Sequence, residues 1–459
     1  MKLEKKIVGS LALVSALSFV GCGGGGSTTS DTSASAISAV EKKEVLTTYA
    51  DIALANYTDA LNDAIALQTA IDNFKVSKSE ADFNATKQAW LSARESYGTT
   101  EIFRLSNGPV DAEDGWVLSL YGAPEGQMNA WPLDENMIDY TTDAEGNITS
   151  GNIIDTAGVF TPSGSEASSV DVTNITKEVL AALNENGGDA NVATGYHAIE
   201  FLLWGQDQDY DSFVNDTVTN GALVAGERPL TDFTSAVNAE RRLDYLDAAS
   251  DLLVEDLNNT LQAWVSSETN CTTGVGCYRG ALLGELTGDD TAKNIAADDA
   301  LRDIFAGMGV FIKSELANER MAVAVYTPSE EDEHSCFSDN THRDIATNYQ
   351  GFVNVLKGVY KESSKGTSFY SKLSDADKST IDQLITSIDT RVATIDSVAQ
   401  SDYHFDYQIK NGNVNQQNVK YAHYDMRDLG DMMVDVAATF GITLSEDDVT
   451  DSQETDVAK

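Results

Sequence analysis

Apolar side chains recur along this chain at steps of three and four residues, the spacing of an α-helix. The longest such run is formed by Ala53, Tyr57, Ala60, Ala64, Leu67, Ile71 and Phe74. This spacing places all of its members on one face of a helix. A second run, formed by Leu246, Leu253, Leu257, Leu261 and Trp264, predicts another long helix. Because no run alternates apolar and polar residues beside a hairpin turn, the pattern predicts an all-α fold.

Capping residues and breaks divide this pattern into about eight or nine long helices. The sequence from Ser77 to Glu80 predicts a capping box that opens the second helix, and the sequence from Ser374 to Asp377 predicts the cap of a later one. Further helices are predicted at about 172–184, 191–204, 296–326, 341–362, 375–399 and 415–439. Helices in this number suit two packed helical bundles, with sites expected where facing helices or the two bundles meet.

The predicted domain boundaries follow changes in composition along the chain. An export signal is expected over residues 1–22, a flexible tether over 23–38, a first bundle over 39–229, a second bundle over 230–444 and an acidic tail over 445–459. Within the first bundle, residues 106–169 are rich in Gly, Pro, Asn and Asp and predict a long irregular loop. The tail is expected to fray.

The charge of the chain limits its partners. Its 459 residues carry 73 acidic and 30 basic side chains, a net charge of −43. Nucleic acid and anionic membrane surfaces would be repelled and are not expected as partners, whereas cations are the natural counter-species. The alternative is that most of the acids only keep the protein soluble.

The N-terminus predicts the location of the protein. Three lysines precede an apolar run over residues 7–20 that is too short for a comfortable transmembrane helix and is typical of an export signal. Residues 19–22, Phe-Val-Gly-Cys, resemble the lipobox of bacterial lipoproteins, in which the cysteine, here Cys22, is lipidated and becomes the first mature residue. With the tether, this predicts a cell-envelope protein held to the membrane by its lipid anchor only, on the outer membrane with its body facing the periplasm or the cell surface. The alternative is cleavage and secretion.

The other three cysteines predict one disulfide. Cys271 and Cys277 flank a short loop with two glycines, and the envelope is oxidising, so we expect them to be bonded to each other. Cys336 is then left over. No two cysteines have the CxxC spacing, so neither a cysteine zinc site nor c-type haem attachment is supported.

Residues 195–205, Gly-Tyr-His-Ala-Ile-Glu-Phe-Leu-Leu-Trp-Gly, hold the most compact pairing of a histidine with an acid. On a helix, His197 and Glu200 project from one face, where an imidazole and a carboxylate can share a metal ion, a proton or another ligand. The alternative is a buried helix in which the two side chains only satisfy each other.

A second stretch is rich in side chains that bind ligands. Residues 330–344 hold six acids together with His334 and His342, and with Ser338 and Asn340 they can present hard oxygen and imidazole ligands. The alternative is a solvated loop whose polar residues cap the next helix.

A third stretch places Arg104 close to Glu101 at the end of a predicted helix. A guanidinium there can hold a carboxylate ligand, or fix a buried acid, by a two-pronged hydrogen bond. The alternative is a surface ion pair.

These stretches resemble a known family. The segment from Gly195 to Gly205 looks like the GxHxxE signature of the imelysin-like proteins, iron-regulated envelope proteins grouped with an insulin-cleaving membrane peptidase. Residues 90–94, 100–104, 315–321 and 331–342 look like stretches of the iron-regulated protein A branch, and the resemblance covers residues 40–440. It implies two helical bundles with a site near their junction, an envelope location, an association with iron uptake and a peptidase activity.

The peptidase activity is the alternative function, because the zinc-protease motif is incomplete. An HExxH site needs two histidines one helical turn apart, and an HxxEH site needs a histidine directly after the glutamate, where this chain has Phe201. In a peptidase, Glu200 would be the catalytic residue, and His334, His342 or Glu101 would have to supply the missing groups.

The residues and the resemblance together favour a binding protein. The predicted metal ligands are His197, Glu200, His334 and His342. The predicted ligand-binding residues are Glu101, Arg104, Asp332, Ser338 and Asn340. Such a site would bind iron or another divalent metal, or an iron-bearing or anionic ligand, between the bundles, and would serve an iron-uptake partner in the envelope. A third hypothesis keeps the cluster around His197 as a polar network that only fixes how the bundles dock.

Overall fold

The all-α prediction is confirmed by the architecture of the chain. The computed structural model describes residues 37–142, 147–207, 225–266, 268–328 and 332–457. Strands within these ranges amount to two antiparallel pairs of two residues each, Val159–Phe160 with Val170–Asp171 and Val359–Tyr360 with Ser363–Ser364. The predicted export signal, Cys22 and the tether as far as residue 36 lie outside the described residues.

Long α-helices form the frame of the body. They are α1 (Ala39–Ser77), α2 (Glu80–Gly98), α3 (Gly195–Trp204), α4 (Ala239–Trp264), α5 (Ala297–Val310), α6 (Thr341–Lys357), α7 (Asp375–Ser401) and α8 (Gln416–Thr439). Shorter α-helices are Gly115–Tyr121, Glu125–Met128, Glu135–Ile138, Lys177–Leu183, Thr231–Thr234, Cys277–Leu282, Val323–Tyr326 and Phe405–Ile409. The 3-10 turns are Glu101–Phe103, Gly288–Lys293, Tyr370–Lys372 and Glu446–Val449. None of the helices in the described part of the chain has both the length and the apolar composition needed to cross a bilayer.

The helices pack in two groups with α6 between them. In the first group α1 lies against α2 and α4, and α3 packs on α4 and α2. In the second group α8 is contacted by α5 and α7. Helix α6 packs on α2 from the first group and on α7 from the second. The boundary between the bundles at residues 229 and 230 stays a prediction, since most buried apolar residues of both groups belong to one continuous cluster.

Helix starts are fixed by serine caps. The predicted cap of α7 is confirmed, because the Ser374 hydroxyl accepts a hydrogen bond from the N–H of Asp377 at 3.2 Å. Helix α2 begins after Ser79, whose hydroxyl accepts from the N–H of Asp82 at 3.1 Å. The capping residue is therefore Ser79 and not Ser77 as predicted, and it satisfies one of the free N–H groups of the first turn.

Helix α6 ends earlier than predicted, at Lys357 and not near residue 362. The next residue, Gly358, has a φ of +68°, a left-handed conformation that glycine adopts without strain and that ends a helix. A short hairpin follows. The periodicity of the apolar residues could not signal this stop, because the strand residues after it are also partly apolar.

Helix α5 continues into a π-helix, Phe311–Ala322, which leads directly into the last α-helical turn, Val323–Tyr326. The predicted helix over 296–326 is thus continuous, but its hydrogen-bond pattern changes from i→i+4 to i→i+5 in the middle. Such segments are rare and often occur at functional sites.

The acidic tail packs on the body, so the prediction of fraying was wrong as far as residue 457. Val449 is fully buried, and Glu454 forms an ion pair with Arg427 at 3.1 Å. The N–H and the hydroxyl of Thr455 donate to the carboxylate of Glu319 at 2.6 and 2.9 Å. The contact of Thr455 with Glu319 joins positions 136 residues apart, which composition alone cannot predict.

The cysteines take two different states. Cys271 and Cys277 are bonded in a disulfide at the start of the Cys277–Leu282 helix. Cys336 is a free thiol in the core, and burial raises its pKa well above the usual value. A buried thiol of this kind behaves as a small apolar side chain.

Candidate functional site

Helix α3 is buried on every side, so its polar residues must find partners inside the protein. All ten of its residues are buried, and His197 and Glu200 are 0% exposed. The helix starts at Gly195, where an added Cβ would lie 2.4 Å from the carbonyl oxygen of Met128. Only glycine allows this approach, which presses α3 against the short helix Glu125–Met128. That helix lies within residues 106–169, so the predicted long loop is not irregular throughout.

His197 and Glu200 are paired, and Ser338 completes the pair. His197 Nδ1 lies 2.9 Å from Glu200 Oε2. Glu200 Oε1 accepts two hydrogen bonds from Ser338, one from the backbone N–H at 3.0 Å and one from the hydroxyl at 2.6 Å. Ser338, predicted as a ligand-binding residue, therefore uses its hydroxyl to hold Glu200.

Both members of the pair are neutral near pH 7. Burial raises the pKa of Glu200 to about 8, although Ser338 opposes the rise. Burial, followed by the neighbouring His334 and Arg94, lowers the pKa of His197 well below its usual value. The protonated carboxyl of Glu200 then donates to His197 Nδ1, which leaves the two side chains without net charge.

His334 stands next to this pair. Its ring lies 4.7 Å from the ring of His197 at 86°, an edge-to-face contact, and the Trp131 ring lies 4.9 Å from His197. His334 Nδ1 lies 2.9 Å from Asp344 Oδ2, which also accepts the hydroxyl hydrogen bond of Ser335 at 2.6 Å. The imidazole is thus held at one nitrogen and by contacts with both neighbouring rings.

A buried arginine balances the charge of Asp344. Arg94 Nη2 lies 3.0 Å from Asp344 Oδ1, and both side chains are 1% exposed. Burial favours the neutral acid, but Arg94 and His334 outweigh it and hold the pKa of Asp344 far below the usual range. Burial and Arg320 lower the pKa of His334 to about 4, so its imidazole is neutral at pH 7.

A second ionic cluster joins the network through Asn129. Arg320 Nη2 donates to Glu101 Oε2 at 2.7 Å and to Glu315 Oε1 at 2.8 Å. Arg104 Nη1 donates to the same two carboxylates at 3.3 and 3.2 Å. Asn129 bonds to Glu101 on one side and to Arg94 on the other. The predicted residues Glu101 and Arg104 thus fix each other at the helix junction.

The π-helix builds one side of this cluster. Glu315 and Arg320 are five residues apart, which is the hydrogen-bond step of a π-helix. The wider turn brings both side chains to one face, where they bind each other and Glu101. The two arginines lower the pKa of Glu315 to about 2 although burial opposes them.

A cavity of about 440 Å³, called here the acid cavity, opens beside His334. Its wall includes Trp131, Arg104 and Arg320, and Thr455 of the tail lies at its edge. Its carboxylates are Glu125, Glu185, Asp189, Glu315, Glu319 and Asp332. Burial raises the pKa of Glu125 to about 6, although Arg104 opposes the rise. Since both arginines already contact carboxylates, the acid cavity carries surplus negative charge.

Two predicted residues lie apart from this arrangement. His342 Nδ1 is 3.0 Å from the backbone oxygen of Asp339, and its Nε2 is 3.6 Å from Asp396. Asn340 is the capping position of α6, where its carbonyl oxygen accepts from the N–H of Arg343 at 2.8 Å. In the described ranges, no three His, Cys, Asp or Glu side chains are arranged to hold a metal ion. The four-residue metal site stays a prediction.

Several residues of the network were not predicted as site residues. They are Arg94, Glu125, Asn129, Trp131, Glu315, Arg320 and Asp344. Arg94, Glu315 and Arg320 do lie in stretches that carry the family resemblance, and this resemblance was the available signal of a role at the site. Their spacing along the chain gave no such signal, because Arg94 and Asp344 meet across 250 positions of the chain.

Comparisons with known proteins agree with the fold. A family model described as Imelysin matches residues 53–425. Iron-regulated protein A of Synechococcus elongatus is 22% identical over 322 residues, which span 70% of this chain and 66% of that relative, just under two thirds of its length. A solved structure of a candidate iron-regulated protein A precursor from Parabacteroides distasonis has a TM-score of 0.59 at 18% identity, covering 89% of this chain and 97% of that one. An imelysin-like protein from Psychrobacter arcticum has a TM-score of 0.47 at 13% identity, with coverage of 89% and 98%.

Proposed function

Because this chain belongs to the imelysin family, we propose that it binds a metal cation, with iron as the first candidate, in the acid cavity at His334. Family membership and the similarity to Iron-regulated protein A support an iron-related role in general. Iron is the cargo in this proposal and not a resident cofactor. The bound species is a small cationic complex that keeps part of its own water or chelator.

The state of His334 carries the proposal. Asp344 holds Nδ1, while no described residue bonds to Nε2, and the side chain lines the acid cavity. A carboxylate that bonds one imidazole nitrogen is the usual way to orient a histidine whose other nitrogen binds a metal. With a pKa of about 4, His334 is neutral at pH 7, and the neutral imidazole is the form that coordinates a metal.

The charge of the acid cavity favours a cation over an anionic chelate. Arg104 and Arg320, the basic side chains on its wall, each contact Glu101 and Glu315. The other carboxylates of the wall attract positive charge. The volume of about 440 Å³ suits a small molecule. A cation with its own ligands therefore fits with His334 as a protein ligand and with the carboxylates acting by their charge.

His197 and Glu200 act as positioning residues in this proposal. Both are 0% exposed, and His197 is separated from the acid cavity by the rings of His334 and Trp131, which it contacts. The peptidase alternative gains no support from this geometry, since Glu200 is 0% exposed and its two oxygens are bonded to His197 and Ser338. The structural alternative is that the network only docks the helices.

The proposed location follows from the sequence. A lipid anchor at Cys22 would hold the protein at the cell envelope, where its body could pass the cation to an iron-uptake partner. Metabolic labelling with a radioactive fatty acid tests the anchor. Label on the wild-type protein and not on the Cys22→Ser variant is expected, and an unlabelled wild type would exclude lipidation.

Matched histidine variants test the proposed site. The full-length protein, purified in detergent, is dialysed against Fe²⁺ without oxygen, Fe³⁺ citrate or Zn²⁺, and the bound metal is measured by mass spectrometry. His334→Gln should weaken binding by about tenfold or more. His342→Gln, a histidine held by Asp339 and Asp396, should bind like the wild type. The proposal fails if no metal binds, or if both variants lose binding equally.

Two further variants separate binding from structure. Asp332→Asn removes a charge from the acid cavity wall, and Asp435→Asn removes one from the exposed surface of α8. Only the first should weaken metal binding. His197→Gln decides the structural alternative, which holds if this variant loses stability while wild-type metal affinity is retained.

A further inference from the structure

A second and larger cleft lies beside α6. Its volume is about 620 Å³, and it is lined by residues of α1, α2, α6, α7 and the hairpin over residues 359–364. It shares no lining residue with the acid cavity, and none of the predicted site residues lines it. We call it the α6–α7 cleft.

The floor of the α6–α7 cleft is apolar. Its apolar atoms come from Ala346 of α6, from Val392 and the exposed Ala393 of α7, and from the rings of Tyr349 and Tyr360. The phenol of Tyr349 donates a hydrogen bond to Asp389 at 2.9 Å, which fixes the position of its ring. An apolar floor of this kind can bury an aliphatic side chain of a ligand.

The rim of the cleft carries surplus negative charge. Its acids are Asp63, Glu95, Glu362, Asp389 and Asp396, against Arg343 and Lys361. Arg343 is already held by Glu95 at 2.7 Å and by Asp396 at 3.1 Å, and Lys361 is held by Asp59 at 2.7 Å. The carboxylate of Asp63 has no hydrogen bond or ion pair with the described residues. The rim can therefore accept ammonium groups.

One buried side chain in the cleft lacks an acceptor. Asn354 is 5% exposed, and its Oδ1 accepts from Gln350 Nε2 at 2.8 Å. Its Nδ2 finds no acceptor among the described residues, although it lies in the lining of the cleft. This donor is not sealed from the cleft, so it is free to bond to water or to a ligand there. A ligand with a carbonyl oxygen would satisfy it.

We propose that the α6–α7 cleft binds a short basic peptide segment of a partner protein. A basic peptide carries a binding partner for each of three features of the cleft. It has a carbonyl oxygen for Asn354, an apolar side chain for the floor at Val392, and ammonium groups for Asp63 and Asp389. A simple amine supplies only the last. This site is separate from the acid cavity, so it stands or falls independently of the proposed function.

Fluorescence anisotropy with labelled tripeptides tests the cleft. The probes are acetylated and amidated Lys-Leu-Lys and Glu-Leu-Glu, titrated with the full-length protein in 150 mM salt. Only Lys-Leu-Lys should bind. The Asp63→Asn and Asn354→Leu variants should each raise its Kd by about threefold or more, while His334→Gln should leave the Kd unchanged.

Asp435→Asn is the matched control, since it removes the same charge from an exposed position outside the cleft. It should bind the basic probe like the wild type. The proposal is overturned if Lys-Leu-Lys does not bind, if Asp435→Asn weakens binding as much as Asp63→Asn, or if Asn354→Leu has no effect. In the second case the peptide is attracted only by the net charge of the protein.

Discussion

The substitution Glu200→Gln should stabilise the protein, and increasingly so as the pH rises. Glutamine reproduces the protonated carboxyl that the structure favours. Its carbonyl oxygen can accept both hydrogen bonds of Ser338, and its amide can donate to His197 Nδ1 in place of the carboxyl proton. The variant therefore keeps the contacts of Glu200 and removes only its titration.

The magnitude follows from the pKa of Glu200, which is raised from 4.5 to about 8. A group whose pKa is raised on folding contributes stability below its unfolded pKa, and that contribution is lost as the pH rises toward the folded value. The loss is about 1.4 kcal/mol per pH unit. Glutamine loses nothing over this range. From pH 5 to pH 8, the difference in free energy of unfolding between Glu200→Gln and the wild type should thus change by about 4 kcal/mol in favour of the variant.

The assay is urea unfolding followed by tryptophan fluorescence at pH 5, 6, 7 and 8. The difference between variant and wild type isolates Glu200, because the other titrating groups are common to both. Glu101→Gln is the control. Its pKa is lowered by Arg320 and Arg104 against the effect of burial, so glutamine should destabilise the protein by a similar amount at all four pH values. The reasoning is refuted if Glu200→Gln is less stable than the wild type at pH 8, since Glu200 would then be ionised in the folded protein.

Three other predictions concern stability and access. Arg94→Met leaves Asp344 buried without its counter-charge, so urea unfolding should show a loss of about 3 to 5 kcal/mol; a loss below 1 kcal/mol would contradict the buried ion pair. The double variant Cys271→Ser and Cys277→Ser opens a loop with a sequence separation of 6. Calorimetry should show a loss of about 2 kcal/mol in the free energy of unfolding. An unchanged unfolding transition would mean that the disulfide does not constrain the unfolded chain. Deleting residues 451–459 removes Thr455 from the edge of the acid cavity. Stopped flow should then show faster release of bound metal to a chelator, while the helical circular dichroism signal stays unchanged. An equal rate of release would show that the tail does not limit access to the cavity.

The long helices could be predicted because their signal is local. Each residue of the stripe from Ala53 to Phe74 is at most 1% exposed, as its three- and four-residue spacing requires. Helix ends were less predictable. The stop at Gly358 depends on one backbone conformation, and the cap at Ser79 depends on which of two serines reaches the first turn.

The partners of the candidate site could not be predicted in the same way. Ser338 and Glu200 are 138 positions apart, and Arg320 and Glu101 are 219 apart. Sequence places each in a polar stretch but cannot say which stretches meet. It grouped His342 with His334, whereas the structure bonds His342 to Asp339 and orients His334 toward Asp344.

The sequence by itself determined the helical class, the pairing of His197 with Glu200 and the membership of a family. Periodicity, a three-residue step and the residues of a motif are all properties of short segments. Only the tertiary structure decided what that pair can do. Burial on all sides of α3 makes Glu200 a neutral acid with a pKa of about 8, and contacts from distant helices leave His334, not His197, facing the acid cavity. Desolvation and charge pairing depend on what surrounds a side chain in space, and the order of residues along the chain does not contain that information directly.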